Sequence, residues 1–274
     1  MTVTEDTNEM SAQRPTSWRD RHRQRASGRR GKYGVDGGSI TLFVYGGALS
    51  ALAVTLFRQS RRGHGVRALL AGSAALAVVG SAVSYFYSTG PGKRSIWTEV
   101  LDELSLGGDE DVLDVGCGRG AVLMLAAQRI PRGRAVGVDV WRRIDQSGNS
   151  LAATERNAVL EGVDDRVDVY DGDARELPFR GGSFDLVMSN LTLHNIRDAD
   201  ERKEALDEVV RVLRPGGRLR IVDLHAEGYV GPLQDAGCVD IEVRRLDWRT
   251  WCGMPGHHLV LVEARTPDIE DDAR

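Results

Sequence analysis

Residues 112–120 read VLDVGCGRG, an apolar run closed by Asp114 and followed by three glycines, Gly116, Gly118 and Gly120. A dinucleotide loop has the spacing G-x-G-x-x-G, with a pyrophosphate on the helix N-terminus. Here the third glycine comes one residue early. Asp114, two residues before the first glycine, would repel a pyrophosphate and attract an ammonium group. Backbone amides in such a loop favour a carboxylate, and no Gly-Lys-Ser/Thr follows that would make a P-loop. The ligand these residues ask for carries an ammonium and a carboxylate and no phosphate.

Two further acids follow apolar runs. Asp139 in VGVDVW can accept hydrogen bonds from both hydroxyls of a ribose. A nicotinamide dinucleotide site would place an acid similarly, so Asp139 alone does not discriminate. Asp173 in YDGDARELPF can accept from an adenine amino group, while the Ala174 amide serves a ring nitrogen. Each acid alone is an ordinary loop acid or helix cap. As an ordered series they point to S-adenosylmethionine.

Candidates on the acceptor side come next. Asn190 closes FDLVMSN, and His194 follows in SNLTLHN, where it can position a substrate or take a proton from an oxygen nucleophile. His225 follows the next apolar run, and Asp223 caps a loop or takes part in chemistry. For both histidines the plain alternative is a hydrogen-bonded loop residue. Methyl transfer needs little beyond in-line placement of the nucleophile, so a missing base does not exclude an enzyme.

The elements that must position these residues alternate. Short β-runs at 111–115, 135–140, 166–173, 184–190 and 218–224 are separated by helical patterns at 121–130, 150–163 and 199–217. Ser150 is an N-cap and Gly162 a helix stop. The end of the chain reads as two strands joined by a turn. Strands alternating with helices predict a parallel sheet covered on both faces.

The motifs VLDVGCGRG, VGVDV, GDARELPF, FDLVMSN and LRPGGRLRIVDL occur in this order. Together they resemble class I S-adenosylmethionine-dependent methyltransferases, in particular the small type that includes quinone-biosynthesis enzymes. The resemblance covers about residues 95–265. It implies an α/β Rossmann-like fold with a seven-stranded, mostly parallel sheet and an antiparallel last strand. It also implies that Asp114, Gly116, Cys117 and Gly118 line the methionine moiety, Asp139 and Val140 the ribose, and Asp173 with Ala174 the adenine. Asn190 would lie beside the methionine and the transferred methyl. One departure is the polar loop Trp141–Ser150, with Gln146, Ser147 and Asn149, where relatives enter a helix sooner. Trp141 there either packs on the ribose or adenine face or anchors the loop.

The N-terminal third is of another kind. Residues 1–38 are polar and arginine-rich and predict a disordered basic tail. Ser39–Phe57 and Ala68–Ser88 are uncharged runs of nineteen and twenty-one residues, each long enough to cross a bilayer as a helix. They predict a two-helix transmembrane hairpin over 39–88, with Tyr85, Phe86 and Tyr87 as an interfacial anchor. Eight Lys/Arg before the first run and Lys93 with Arg94 after the second outnumber four arginines in the link. The balance puts both ends, and the catalytic domain, on the cytoplasmic side. A re-entrant hairpin, or an export signal after Arg29-Arg30, are the alternatives. A linker over 89–95, the methyltransferase domain over 96–265 and an acidic tail over 266–274 complete the organisation.

Residues 1–94 carry a charge of +9 and the remainder −13. The acidic body is a poor nucleic-acid binder, because phosphate contacts need clustered Lys/Arg. Three cysteines, none in a C-x-x-C pair, suit a reducing compartment and suggest no metal site. The insertion before the last strands is short, so the acceptor side is expected to be open unless the hairpin or residues 95–106 cover it. The expected partner is a lipophilic or small-molecule methyl acceptor, with the membrane held through residues 39–88. A soluble acceptor, and a non-catalytic S-adenosylmethionine-binding membrane scaffold, are the competing readings.

Overall fold

The computed structural model describes residues 31–62, 65–142, 144–251 and 258–268. The tail at 1–30, Cys252, His257 and most of the acidic C-terminal tail lie outside the described residues.

Seven strands form one sheet: β1 Asp111–Val115, β2 Arg134–Asp139, β3 Val167–Asp171, β4 Phe184–Asn190, β5 Leu213–Leu224, β6 Val239–Arg245 and β7 Leu259–Arg265. Their order is β3-β2-β1-β4-β5-β7-β6. Strands β1 to β5 run parallel, and β7 pairs antiparallel with both β5 and β6. This is the α/β Rossmann-like sheet, mostly parallel with a reversed last strand, that the resemblance implies. The order changes direction between β1 and β4, and ligands of open α/β sheets bind beyond the strand carboxyl ends at such a switch. Asp114 and Asn190 therefore belong to the two strands that flank it.

Both faces of the sheet are covered, which is why its central strands are continuously apolar. On one face Ile96, Trp97, Val100 and Leu101 pack with Leu123 and Met124. On the other Ala205, Leu206 and Val209 pack with Leu219, Ile221 and Leu233. Ile96, Val100, Leu101 and Leu104, an apolar stripe along residues 95–106, are buried, so this segment packs on the sheet.

Ahead of the sheet stand helices α1 Gly38–Arg61, α2 Gly65–Tyr87 and α3 Lys93–Glu103. The predicted linker at 89–95 is helical instead. A π-helical turn, Ser88–Gly92, joins α2 to α3 with Pro91 inside it. Proline has no N–H and crowds the carbonyl one turn back, and a π turn makes room for it. Ser88 Oγ and Thr89 Oγ1 each donate to the Tyr85 carbonyl at 3.0 Å, so that oxygen is satisfied within the turn.

Helices α1 and α2 pack on each other, with Tyr45 Oη and Ser81 Oγ 2.9 Å apart. Phe43, Leu69, Leu70 and Leu76 face outward and are exposed. Among the described residues one continuous helix, Gly65–Glu103, is long and apolar enough to cross a membrane. Its lower end is tied to the domain: Tyr87 stacks on Trp248 at 5.5 Å, and Arg249 Nη1 donates to Ser95 Oγ at 2.9 Å.

Candidate active site

The glycine loop turns at the end of β1. Gly116 has φ +71°, and a Cβ there would lie 2.1 Å from Thr192 Oγ1. Alanine at this position meets both backbone strain and a side chain packed from the β4 end. Gly116→Ala is expected to cost about 2–3 kcal/mol. In thermal denaturation, adding Thr192→Gly, which removes the Cβ at 2.6 Å as well as the branch atoms, should recover the steric part and leave the backbone part.

The loop amides do not lie open for a ligand carboxylate, contrary to expectation. Gly116 and Cys117 donate to the Val138 carbonyl at 2.8 and 3.1 Å, and Gly120 donates to Cys117 at 2.8 Å. Gly118 N donates to Asp139 Oδ2 at 2.8 Å, and Arg119 N to Gln146 Oε1 at 2.8 Å. The neighbouring strand and the polar loop satisfy these donors, as buried amides require. The loop shapes a close backbone approach without offering free amides. Thr154 and Asn157 of helix α4's neighbour, α5 Leu151–Glu161 (α4 being Ala121–Arg129), accept its geometry by donating to the Gly118 and Arg119 carbonyls.

Asp114 is 1% exposed, and its Oδ2 has no hydrogen-bond partner. Burial pushes its carboxyl up to about 7; the Leu123 amide opposes this, the Asp139 charge adds to it, and Lys93 opposes it. Asp139 also accepts from the Trp141 amide at 2.6 Å and from Asn149 Nδ2 at 3.2 Å. Burial nevertheless raises its carboxyl above the ordinary range. Trp141 has φ +59°, packs on the core cluster and so serves as the loop's anchor. Val140 is exposed beside it.

Asp173 departs from expectation. Arg175 Nε and Nη2 grip its carboxylate at 3.0 and 2.6 Å, which holds it below the usual carboxylate range. An adenine amino group would have to displace that arginine, while Ala174 stays half-buried beside it.

Beyond β4, Asn190 Oδ1 accepts from Trp97 Nε1 at 2.7 Å, so helix α3 orients it. His194 sits in a single 3-10 turn, and its Nδ1 lies 2.5 Å from Asp223 Oδ1 at the end of β5.

Residues 31–37, placed by their composition in a disordered tail, run along the domain. Lys32 N and O pair with the Asn157 side chain at 2.9 and 3.0 Å, and Tyr33 Oη donates to Glu161. Val35 and Ser147 exchange hydrogen bonds, and Gln146 Nε2 donates to Asp36 Oδ1 at 3.2 Å. Buried Lys93 closes the strap with an ion pair to Asp36 at 2.5 Å. Directional bonds to fixed side chains supply what the segment lacks in apolar residues. This strap lies on the 141–150 loop, so the site has a cover besides the helices. Lys93 and Asp36 were not legible as site residues; the polar character of Gln146, Ser147 and Asn149 was the only signal of the loop's role.

A ligand with an ammonium and two adjacent hydroxyls suits this arrangement. Asp114 Oδ2 and Asn149 Oδ1 are buried polar atoms without a partner, and Asp139 uses three of its acceptor positions. Among the described residues no group of three or more His, Cys, Asp or Glu is placed to hold a metal ion.

Residues 113–221 match the family described as "Methyltransferase domain". The chain is 32% identical over 133 residues to a ubiquinone/menaquinone biosynthesis C-methyltransferase of Dinoroseobacter shibae, covering 48% of this chain and 50% of that protein. It is 33% identical over 153 residues to nocamycin O-methyltransferase of Saccharothrix syringae, covering 54% and 51%. The chain thus spans about half the length of the curated relatives it matches. Among solved structures, the cyclase SpnF superposes with a TM-score of 0.53 at 21% identity, covering 62% of this chain and 80% of that one. Phosphoethanolamine N-methyltransferase 2 of Haemonchus contortus, in complex with S-adenosylmethionine, gives a TM-score of 0.52 at 18% identity, covering 64% and 53%. At these identities the two structures speak to the fold alone.

Proposed function

We propose that this chain, whose residues 113–221 match a family described as "Methyltransferase domain", is a membrane-attached class I S-adenosylmethionine-dependent enzyme that methylates a lipophilic or small-molecule acceptor. The observation that carries the reading is Asp114: a buried carboxylate with an unpartnered oxygen at the sheet's switch point, one strand from Asp139. A cationic ligand with a ribose answers both acids. S-adenosylmethionine, when bound, supplies a methyl group on a sulfonium, ready for transfer to a nucleophile.

The chain's own residues hold and orient. Asp114 would take the ammonium, Asp139 the ribose hydroxyls, and Asp173 with the Ala174 amide the adenine once Arg175 yields. Gly116, Cys117 and Gly118 let the backbone pass close to the methionine moiety. Asn190, fixed by Trp97, would border the methyl, and His194 would stand on the acceptor side. Helix Gly65–Glu103 and the exposed apolar side chains of α1 and α2 support attachment to a membrane. The hairpin and a cytoplasmic domain rest on the sequence alone, on the other apolar run at 39–57 and on the ten Lys/Arg of the flanks against four in the link. A lipophilic acceptor is the reading favoured by a tether that runs as one helix into the domain. The relatives named above are, by their names, a ubiquinone/menaquinone biosynthesis C-methyltransferase and a nocamycin O-methyltransferase.

Calorimetric titration of the full chain in detergent with S-adenosylmethionine, S-adenosylhomocysteine and NAD tests the donor. Binding of the first two and not the third is expected. Methyl transfer to a total lipid extract, and flotation with anionic vesicles, test the acceptor and the membrane. Binding without any transfer would assign the scaffold reading in its place.

A further inference from the structure

We infer that the turn Trp248–Thr250, with Trp251 after it, is an interfacial docking surface that seats the carboxyl edge of the sheet on the lipid bilayer entered by α2. The inference rests on the membrane attachment proposed above and adds which face of the domain meets the lipid.

The turn is built inside out for a loop in water. Trp248 is 71% exposed and Trp251 is exposed after it, whereas the Arg249 side chain is only 20% exposed. Large apolar side chains ordinarily turn inward and guanidinium groups outward. Arg249 turns inward because helix α3 and the turn itself hold it. Its Nη2 donates to Glu99 Oε2 at 2.8 Å and to Asp247 Oδ2 at 2.6 Å, and its Nη1 to Ser95 Oγ at 2.9 Å. Asp247 also accepts from the Arg249 amide at 2.9 Å, and the buried Thr250 donates from Oγ1 to the Asp247 carbonyl at 2.9 Å. The polar groups of the turn are engaged with one another and with α3, and the indoles are exposed.

The depth of the turn is set by the helix. The Trp248 ring stacks on Tyr87 with centroids 5.5 Å apart and 13° between the planes. Ser84 Oγ donates to the Trp251 carbonyl at 2.8 Å. The joint between α2 and α3 backs directly on the turn, since a Cβ on Gly92 would lie 2.1 Å from the Arg249 carbonyl oxygen. Tyr87 lies at the end of the uncharged run 68–88, so the turn stands where a spanning α2 leaves the hydrocarbon. Indole and phenol rings favour that depth, because the ring is apolar and its N–H or O–H reaches headgroups and water. Exposed Phe86 and Tyr87 and the two indoles thus form one aromatic belt drawn from two distant parts of the chain. A soluble protein or a second copy could also cover indoles. Lipid is favoured because the belt continues, through the Tyr87–Trp248 stack, the outward apolar side chains of α2 at Leu69, Leu70 and Leu76.

The same turn lies on the edge of the sheet that carries the site. Leu246 N donates to the Leu259 carbonyl at 3.0 Å, and Leu259 stands opposite Leu224, the last residue of β5. The connection from β6 to β7 therefore leaves the sheet at the carboxyl ends of the parallel strands, where Asn190 and the glycine loop also lie. With that edge on the bilayer, an acceptor dissolved in the lipid reaches the site without crossing water.

The test reconstitutes the full chain in vesicles of phosphatidylcholine and phosphatidylglycerol, with and without lipids brominated near the headgroup end of the acyl chain. The chain has five tryptophans, so its emission is compared with that of the double variant Trp248→Ala, Trp251→Ala. Both residues are exposed and neither lies among the cofactor or acceptor residues, so the double variant should melt in detergent close to the unsubstituted chain. Brominated lipid should quench the unsubstituted chain, and most of that quenching should disappear in the double variant. Quenching left unchanged by the double substitution would overturn the inference. Indoles quenched by aqueous acrylamide and not by brominated lipid would leave the turn to a soluble partner and overturn it as well. So would a dimer in detergent, measured by light scattering, that the double variant turns into a monomer, since the turn would then be a contact between copies. Failure of the unsubstituted chain to float with the vesicles would overturn the membrane attachment together with the inference; flotation with unquenched indoles would overturn the inference alone.

Discussion

Asp139→Ala should weaken S-adenosylhomocysteine binding by about 100-fold or more, the largest loss expected from any single side chain in the site. Hydrogen bonds to a charged acceptor contribute about 1.5–3 kcal/mol each, and two ribose hydroxyls would share this carboxylate. Two such bonds amount to a factor of about 100 or more in affinity. The effect has a second source inside the chain. Asp139 accepts from the Gly118 and Trp141 amides and from Asn149, so alanine leaves three donors at the cleft without an acceptor. The glycine loop and the 141–150 loop should then loosen together, and the melting temperature should fall by several degrees. Asp139→Asn separates the two contributions. Its amide oxygen can still accept from one backbone amide, so stability should largely return while affinity stays low. Calorimetry and thermal denaturation of both variants decide the matter; full affinity in Asp139→Ala would remove this residue from the site.

The sheet was legible because its strands are short, apolar and separated by amphipathic helices, so that the side-chain period alone marks them. The series Asp114, Asp139, Asp173 and Asn190 was legible because each closes or follows such a run. What surrounds these residues was not. The strap at 31–37 is rich in glycine and follows an arginine-rich stretch, a composition that predicts disorder. It is held by Asn157, Glu161, Ser147 and Lys93, whose proximity exists only after the sheet has formed. Pro91 marks a break by any local rule, yet a π turn carries the helix through it. The loop amides illustrate the same limit. Sequence shows that they exist, and only the register of β1 on β2 shows that the Val138 carbonyl already engages two of them. The grip of Arg175 on Asp173 is the exception. The two lie only two residues apart, so a local ion pair competing with the adenine role was within reach of the sequence.

Asp114 leads to an expectation that depends on pH. Its carboxyl is pushed up to about 7 by burial, against about 3.9 in an unfolded chain. For a group raised in the folded state, the stabilisation is fully present below the unfolded value and is lost as pH rises through the folded one. The difference of about three units corresponds to about 4 kcal/mol at an order-of-magnitude level. Without ligand, Asp114→Asn should therefore melt above the unsubstituted chain at pH 5 by about a third of the full difference, and by the whole of it at pH 8. Ligand binding runs the other way, because an ammonium pairs with the ionised carboxylate. Below about pH 7 the proton on Asp114 must leave first, so affinity should rise with pH, approaching tenfold per unit at the acid end. Above about pH 8 an α-amino group loses its own charge, and affinity should fall again. S-adenosylhomocysteine titrated between pH 5.5 and 9 should show this maximum. In buffers of different ionisation enthalpy, proton release on binding should appear at pH 6 and be absent in Asp114→Asn. A flat profile in the unsubstituted chain would mean that the ammonium is held elsewhere and that the unpartnered oxygen of Asp114 has another purpose.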